Sequence, residues 1–338
     1  MRVRARRYDL HLEIPFSISR STTKTHAVYV AEIEHEGIVG YGEASPSAYY
    51  GDGPTLAQET IAGSQDLIGS DPFAVQDVSE RLAEKFPASP SGRAAVETAL
   101  LDIMGKKTGQ PLYRLLGLSG RCPPKTSLTV GVSDVSLVEN RLDFLRGFPI
   151  LKAKVGFGDE EALLSLLSKE TGATLRVDAN EGWTLEEAIA KVGDYGRRYG
   201  IEFFEQPLPK EDHEGYRELK RRTDAAIIVD ESIRCKEDVL RWAGCADGVN
   251  IKVMKCGGLL EALRMIWVAR ACRLRVMLGC MVESSVGISA AAHVAPLVDY
   301  CDLDGNLLIS NDPFEGVKAR NGVLVLPEAP GLGVSPIS

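Results

Sequence analysis

From about residue 125 the sequence repeats one unit: a short apolar run ending in a polar or charged residue, then ten to sixteen residues of helical periodicity. This is the strand–helix unit, and strands joined by helical crossovers lie parallel. Eight strand candidates succeed one another: SLTVGV (127–132), ILKAKVG (150–156), TLRVDAN (174–180), IEFFEQP (201–207), AIIVDES (226–232), GVNIKVM (248–254), LRVMLG (274–279) and VDYCDLD (298–304). Lys154, Asp178, Glu205, Asp230 and Lys252 close successive strands at intervals of 24, 27, 25 and 22 residues, and Asp302 follows after 50, two units later. An array of this length either closes into a barrel or stays an open, doubly wound sheet. No Gly-x-Gly-x-x-Gly follows any strand and no Walker A sequence occurs, whereas chemistry-bearing residues finish many different strands. Only a closed ring brings those ends to one point, so the expected fold class is α/β with a β/α barrel over residues 121–304.

The first 120 residues have another texture. HAVYVAEIEHEGIVGYGEA alternates apolar and polar residues around Glu36-Gly37, a hairpin signal, and helical periodicity follows over 55–69, 73–85 and 91–104. Residues 1–120 are expected to form an α+β domain. The Gly- and Pro-rich segment 305–338, with its short GVLVLP run, is expected to return to it.

Composition limits the partners. Thirty-nine basic against 47 acidic residues give a net charge of −8, which works against binding nucleic acid or an anionic membrane and favours a small molecule. No apolar run approaches the ~18 residues of a membrane span, and the basic start MRVRARRYDLHLEIPF has no continuous apolar stretch, so a cytoplasmic location is expected. The seven cysteines never fall as Cys-x-x-Cys and the five histidines form no His-Glu-x-x-His, leaving acid–base work to other residues.

Asp178, Glu205 and Asp230 end three successive strands, which would bring three carboxylates together at one side of the barrel mouth. Each alone reads more readily as a cap for the helix that follows it; three in a row would repel severely unless they share a hard cation, and an all-oxygen set suits Mg²⁺. Lys152 and Lys154, two apart on one strand, share a face, and apolar Leu151, Ala153 and Val155 take the other. The lysines then face the barrel interior, with Lys252 in the same phase across the ring. A metal-bound carboxylate acidifies its α-carbon by stabilising the enediolate formed on proton loss, and a lysine whose pKa is lowered by burial and a neighbouring cation can be the base. Two bases on opposite faces of one carbon invert it.

With these residues in place the chain resembles the enolase superfamily, in its muconate-lactonizing subgroup, and within it the dipeptide epimerases. The resemblance spans nearly the whole length through PFSISR (15–20), GYGEASP (40–46), KAK (152–154), VDAN (177–180), EQP (205–207), DES (230–232), NIKVMKCGG (250–258) and DLD (302–304). It implies a modified (β/α)7β barrel under an α+β capping domain, with Lys154 and Lys252 as the two bases, Lys152 beside them, and Asp178, Glu205 and Asp230 on Mg²⁺. It also implies an isomerase that moves the α-proton of the C-terminal residue of a dipeptide such as L-Ala-D/L-Glu, with cell-wall peptide salvage as a setting.

Asp302 and Asp304 match aspartates that hold a free α-ammonium, and an anionic N-acyl group would be repelled there. Arg20 matches an arginine associated with the glutamate side chain, Thr129 and Cys280 fall where the family contacts substrate, and Tyr49, Tyr50 and Asp52, on the second capping loop, are expected to shape the pocket. Asn180, Glu231 and Lys255 are expected to support the site, and Lys106 and Lys107 to be solvated. The rivals are an N-acylamino acid racemase, an o-succinylbenzoate synthase or a cycloisomerase on the same fold, and a barrel that binds dipeptides without chemistry. Capped barrels often form homo-oligomers, but the sequence sets no subunit number.

Overall fold

A computed structural model describes residues 1–132 and 134–337, so of the segment 305–338 only Ser338 lies outside the described residues. The chain opens with an antiparallel sheet of β1 (Arg2–Ile18), β2 (Ser21–His35) and β3 (Ile38–Ala44). The β2–β3 turn is the expected one: Glu36 and Gly37 both have positive φ, 50° and 80°, which matches a two-residue hairpin. Three helices follow, α1 (Pro54–Gly63), α2 (Val75–Lys85) and α3 (Pro90–Thr108). Pro90 presets the first turn of α3, and Gly109 closes it in the left-handed conformation. The helix lies directly on β3 because Gly40 and Gly42 have no side chains; a Cβ at either would come within 2.2 Å of the Ala99 or Ala95 carbonyl oxygen.

Eight parallel strands follow in sequence order: β4 (Leu128–Val130), β5 (Ile150–Lys154), β6 (Thr174–Asp178), β7 (Phe204–Glu205), β8 (Ile227–Val229), β9 (Gly248–Lys252), β10 (Arg275–Gly279) and β11 (Tyr300–Asp302). A parallel bridge from Thr126 to Cys301, with Ser127 N donating to the Cys301 carbonyl at 3.1 Å, draws the two edges together into a nearly closed barrel. Helices follow the first seven strands, while β11 runs into only a short 3₁₀ turn. This is a (β/α)7β barrel. The strand expected over 201–207 shrinks to Phe204–Glu205, since Gln206 turns left-handed (φ 38°) and Pro207 has no N–H to donate.

The period of two sorts the strands into layers. Leu151, Ala153 and Val155 are fully buried in the large core that includes residues of the surrounding helices. On the inner face, Phe203, Ile228 and Met277 form a separate apolar plug two residues below Glu205, Asp230 and Gly279. Arg176, two below Asp178, lays its guanidinium 5.0 Å from both the Phe203 and Tyr300 rings in that floor. The upper layer is polar.

The late segment returns to the N-terminal sheet. Leu12 bridges Ile309, Glu13 N donates to the Leu308 carbonyl at 3.0 Å, and His11 N donates to Asn311 Oδ1, 300 residues away, at 2.7 Å. Asp102 on α3 accepts from Leu332 N at 2.8 Å, Tyr41 N at 2.9 Å and Lys106 Nζ at 2.6 Å. Lys106 is therefore not the solvated residue its sequence neighbourhood implies: it also donates to the Val39 carbonyl at 2.8 Å and ties α3 to β3. Lys107 pairs with Glu36 at 2.6 Å.

Candidate active site

Asp178, Glu205 and Asp230 leave the ends of three adjacent strands and offer carboxylate oxygens that lie within 4.8 Å of one another, all three residues buried. Parallel pairing sets this spacing, because Asp178 stands in register with both Lys154 and Glu205. Lysine ammonium groups surround the acids. Lys152 Nζ lies 2.7 Å from Glu205, 2.7 Å from Asp302 and 3.0 Å from Asp178. Lys154 Nζ reaches Asp178 at 2.6 Å and Lys252 Nζ reaches Asp230 at 2.8 Å, so these two attach to opposite ends of the triad.

The electrostatics follow from burial and contact. Burial works to raise Asp178, but the ammonium groups of Lys152 and Lys154 outweigh it and hold its pKa down at about 2. Asp230 is likewise lowered, by Lys252, Lys255 and Lys152, against the pull of burial. Glu205 is pushed up to about 7, by burial and then by the charge of Asp178. Lys152 and Lys252 do not show the lowering that the sequence reading asks of a lysine base. Burial does pull Lys152 and Lys252 down, yet the carboxylates beside them win and both are raised.

Whether the triad suits a cation is tested by its open lone pairs. Glu205 Oε2 and Asp230 Oδ2 are buried without a hydrogen bond, each beside an ammonium group, at 2.7 and 2.8 Å. Buried acceptors left open in this way are costly. Three converging carboxylates, two of them with an open oxygen, can hold a divalent cation, and the absence of nitrogen or sulfur donors in the triad favours Mg²⁺.

Supporting groups orient each acid. Asn180 N donates to Asp178 Oδ1 at 3.0 Å. Lys255 Nζ donates to the Asp230 carbonyl at 2.6 Å and to its carboxylate, and Gln206 Oε1 accepts from Asp230 N at 2.7 Å. Asn250 Nδ2 donates to Glu205 Oε1 at 2.8 Å. Asn250 and Gln206 escape the sequence reading. Asn250 could have been found, since it stands two residues before Lys252 and shares its inward phase.

The remaining expected residues line one cavity of about 510 Å³ between the barrel mouth and the N-terminal sheet: Arg20, Tyr50, Thr129, Cys280, Asp302 and Asp304, together with the three lysines and Asp230. Asp302 is engaged, by Lys152 and by Ser127 Oγ at 2.7 Å. Asp304 accepts from Thr129 N at 2.5 Å and faces Cys280 Sγ at 3.8 Å; burial and the Asp302 charge push it up to about 6. Arg20 contacts Asn180, Glu181 and Glu231.

Both halves of the chain match known families. Residues 1–117 match the mandelate racemase / muconate lactonizing enzyme N-terminal domain, and residues 137–337 match the family described as enolase C-terminal domain-like. The L-Ala-D/L-Glu epimerase of Bacteroides thetaiotaomicron is 36% identical over 331 residues, 98% of this chain and 86% of that protein. A dipeptide epimerase from Enterococcus faecalis, solved with Mg and the dipeptide L-Leu-L-Tyr, superposes with a TM-score of 0.91 at 32% identity over 98% of each chain. The substrate-liganded L-Ala-D/L-Glu epimerase from Bacillus subtilis gives a TM-score of 0.91 at 31% identity, over 100% of this chain and 99% of that one. A mandelate racemase-type cap on an enolase-type barrel, matched along nearly its full length, makes this chain a member of the enolase superfamily, in its muconate lactonizing enzyme subgroup.

Proposed function

We propose that the chain is a Mg²⁺-dependent dipeptide epimerase that inverts the α-carbon of the C-terminal residue. One observation carries the reading: Lys154 and Lys252 reach opposite ends of one acidic triad inside a single cavity. Asp178, Glu205 and Asp230 would hold the cation. Bound there, Mg²⁺ supplies a Lewis acid that acidifies the α-hydrogen of a coordinated carboxylate.

The lysines do the proton work. With a cation engaging the carboxylates that otherwise stabilise the ammonium form, one lysine can serve as the neutral amine that takes the α-proton from its face, and the ammonium of the other returns a proton from the opposite face. One proton leaves and one arrives, so the product differs only in configuration, and reversal exchanges the two roles. Lys152, clamped by three carboxylates, supplies fixed positive charge beside Glu205 and Asp302. Asp304, with Asp302 behind it, receives the dipeptide's α-ammonium, which favours a free N-terminus over an anionic acyl group.

The working unit comprises a cap over residues 1–120, a barrel over 121–304 and a late segment that completes the cap. A reducing cytoplasmic setting fits seven cysteines that are all free; no helix among the described residues is long and apolar enough to cross a membrane. Incubation of dipeptides with the protein and Mg²⁺ in deuterated water is expected to exchange the α-hydrogen of the C-terminal residue and build up its epimer. No exchange across a dipeptide library would overturn the proposal.

A further inference from the structure

With the substrate carboxylate toward the triad, the ammonium toward Asp304 and a lysine on either face, the side chain of the inverted residue must point to the cap. The cation it would meet there is Arg20, and that guanidinium is committed. Nη1 donates to the Asn180 carbonyl at 2.7 Å and to Glu181 Oε2 at 3.2 Å, and Nη2 donates to Glu231 Oε1 at 2.8 Å. Ser19 Oγ donates to the same Asn180 carbonyl at 2.7 Å. Asn180 and Glu181 are both left-handed, with φ of 43° and 65°. Surrounding contacts must hold non-glycine residues in that conformation. Two adjacent cap residues thus pin the strained turn that follows Asp178.

Charge points the same way. Glu181 is held by the Tyr49 hydroxyl and by Lys210 N at 2.7 Å, and Glu231 by Asn180 Nδ2 at 3.1 Å. By count two fixed carboxylates balance two cations: Arg20, in contact with both, and Lys210, whose ammonium lies 4.4 Å from the Tyr49 ring centroid. A third carboxylate arriving on a substrate finds no surplus positive charge to repay its desolvation. Uncharged surface is close by: the Phe16 ring lies 6.0 Å from Lys154 Nζ, the Tyr50 ring 5.8 Å from the Lys255 ammonium that holds Asp230, and Ile18 lines the same wall.

We propose that Arg20 is a clasp between cap and barrel rather than a receptor for a substrate carboxylate, and that the inverted residue carries an uncharged side chain seated against Phe16, Ile18 and Tyr50. The inference rests on the dipeptide epimerase reading. Its test is kcat and KM for L-Ala-L-Leu and L-Ala-L-Glu with the wild type, Arg20→Met and Glu181→Gln. The wild type is expected to favour L-Ala-L-Leu by about tenfold or more in kcat/KM. Arg20→Met should lower kcat for both dipeptides by a similar factor, and Glu181→Gln, which releases part of the guanidinium, should narrow the preference. A wild type that uses L-Ala-L-Glu as well as or better than L-Ala-L-Leu overturns the inference, and so does an Arg20→Met variant that loses only the acidic dipeptide. If that variant does not fold, the wild-type ratio decides alone. Failure of the wild type to exchange any dipeptide sinks the epimerase reading itself, a result distinct from a reversed preference.

Discussion

Lys152 on β5 and Asp302 on β11 meet at 2.7 Å inside the barrel, and the same ammonium lies 2.7 Å from Glu205. One side chain therefore joins the acidic triad to the aspartate pair. Asp302→Asn removes a charge partner from Lys152, and the expected result is a fall in kcat of roughly 10–100-fold, because positioned charges act through what they orient. Asp304→Asn should instead raise KM for dipeptides with a free N-terminus. Steady-state kinetics on both variants checks this division; identical effects on kcat and KM would refute it.

Lys154→Ala and Lys252→Ala should each abolish epimerisation, with losses on the order of 10²–10⁴ in rate. Each variant keeps one lysine on one face. Each should therefore still exchange the α-hydrogen of one epimer in deuterated water without inverting it, and the two variants should act on opposite epimers. Proton NMR of the L,L and L,D dipeptides decides the matter; exchange of the same epimer by both variants would break the two-faced scheme.

Asn250 donates its side-chain amide to Glu205 Oε1 at 2.8 Å. Asn250→Leu should keep the fold and weaken Mg²⁺ binding by roughly 10–100-fold, the usual cost of losing a group that orients a metal ligand. Calorimetric titration with Mg²⁺ measures this without relying on turnover. An unchanged affinity would remove Asn250 from the site.

Stability should carry the imprint of His293. Burial pushes its pKa down to about 4, and its Nδ1 accepts from Tyr113 N at 3.2 Å while Nε2 has no partner. The native imidazole stays neutral, whereas the unfolded one takes a proton below its ordinary value of about 6.5. Its contribution is thus fully present above that value and is lost as pH falls toward 4, by up to about 3 kcal/mol. His293→Gln keeps an acceptor for Tyr113 N and should flatten this limb in urea unfolding at pH 7, 5 and 4. Parallel curves for the two proteins would assign the acid loss elsewhere.

The three acids and three lysines were legible because strand periodicity alone fixes which side chains share a face and where each strand stops. Partners across the ring were not. Lys152 contacts Asp302 150 residues away, and nothing local in either sequence marks that pairing. Lys106 misleads for the same reason: it lies in an exposed-looking Lys-Lys pair, but its acceptors are Asp102 one turn back and Val39 on another element. Arg20 lines the cavity, yet the two glutamates that neutralise it come from the ends of different strands. Side-chain phase is a local property, and charge balance is not.

Over His11–Glu13 the edge of β1 receives its partner from residues 308–311, so during synthesis these backbone groups stay open until almost the whole barrel has left the ribosome. An unsealed strand edge is a template for mispairing with a neighbouring chain. Nascent copies on one messenger would be most prone to clump in that interval, and the mouth becomes competent only when the latest-made residues arrive.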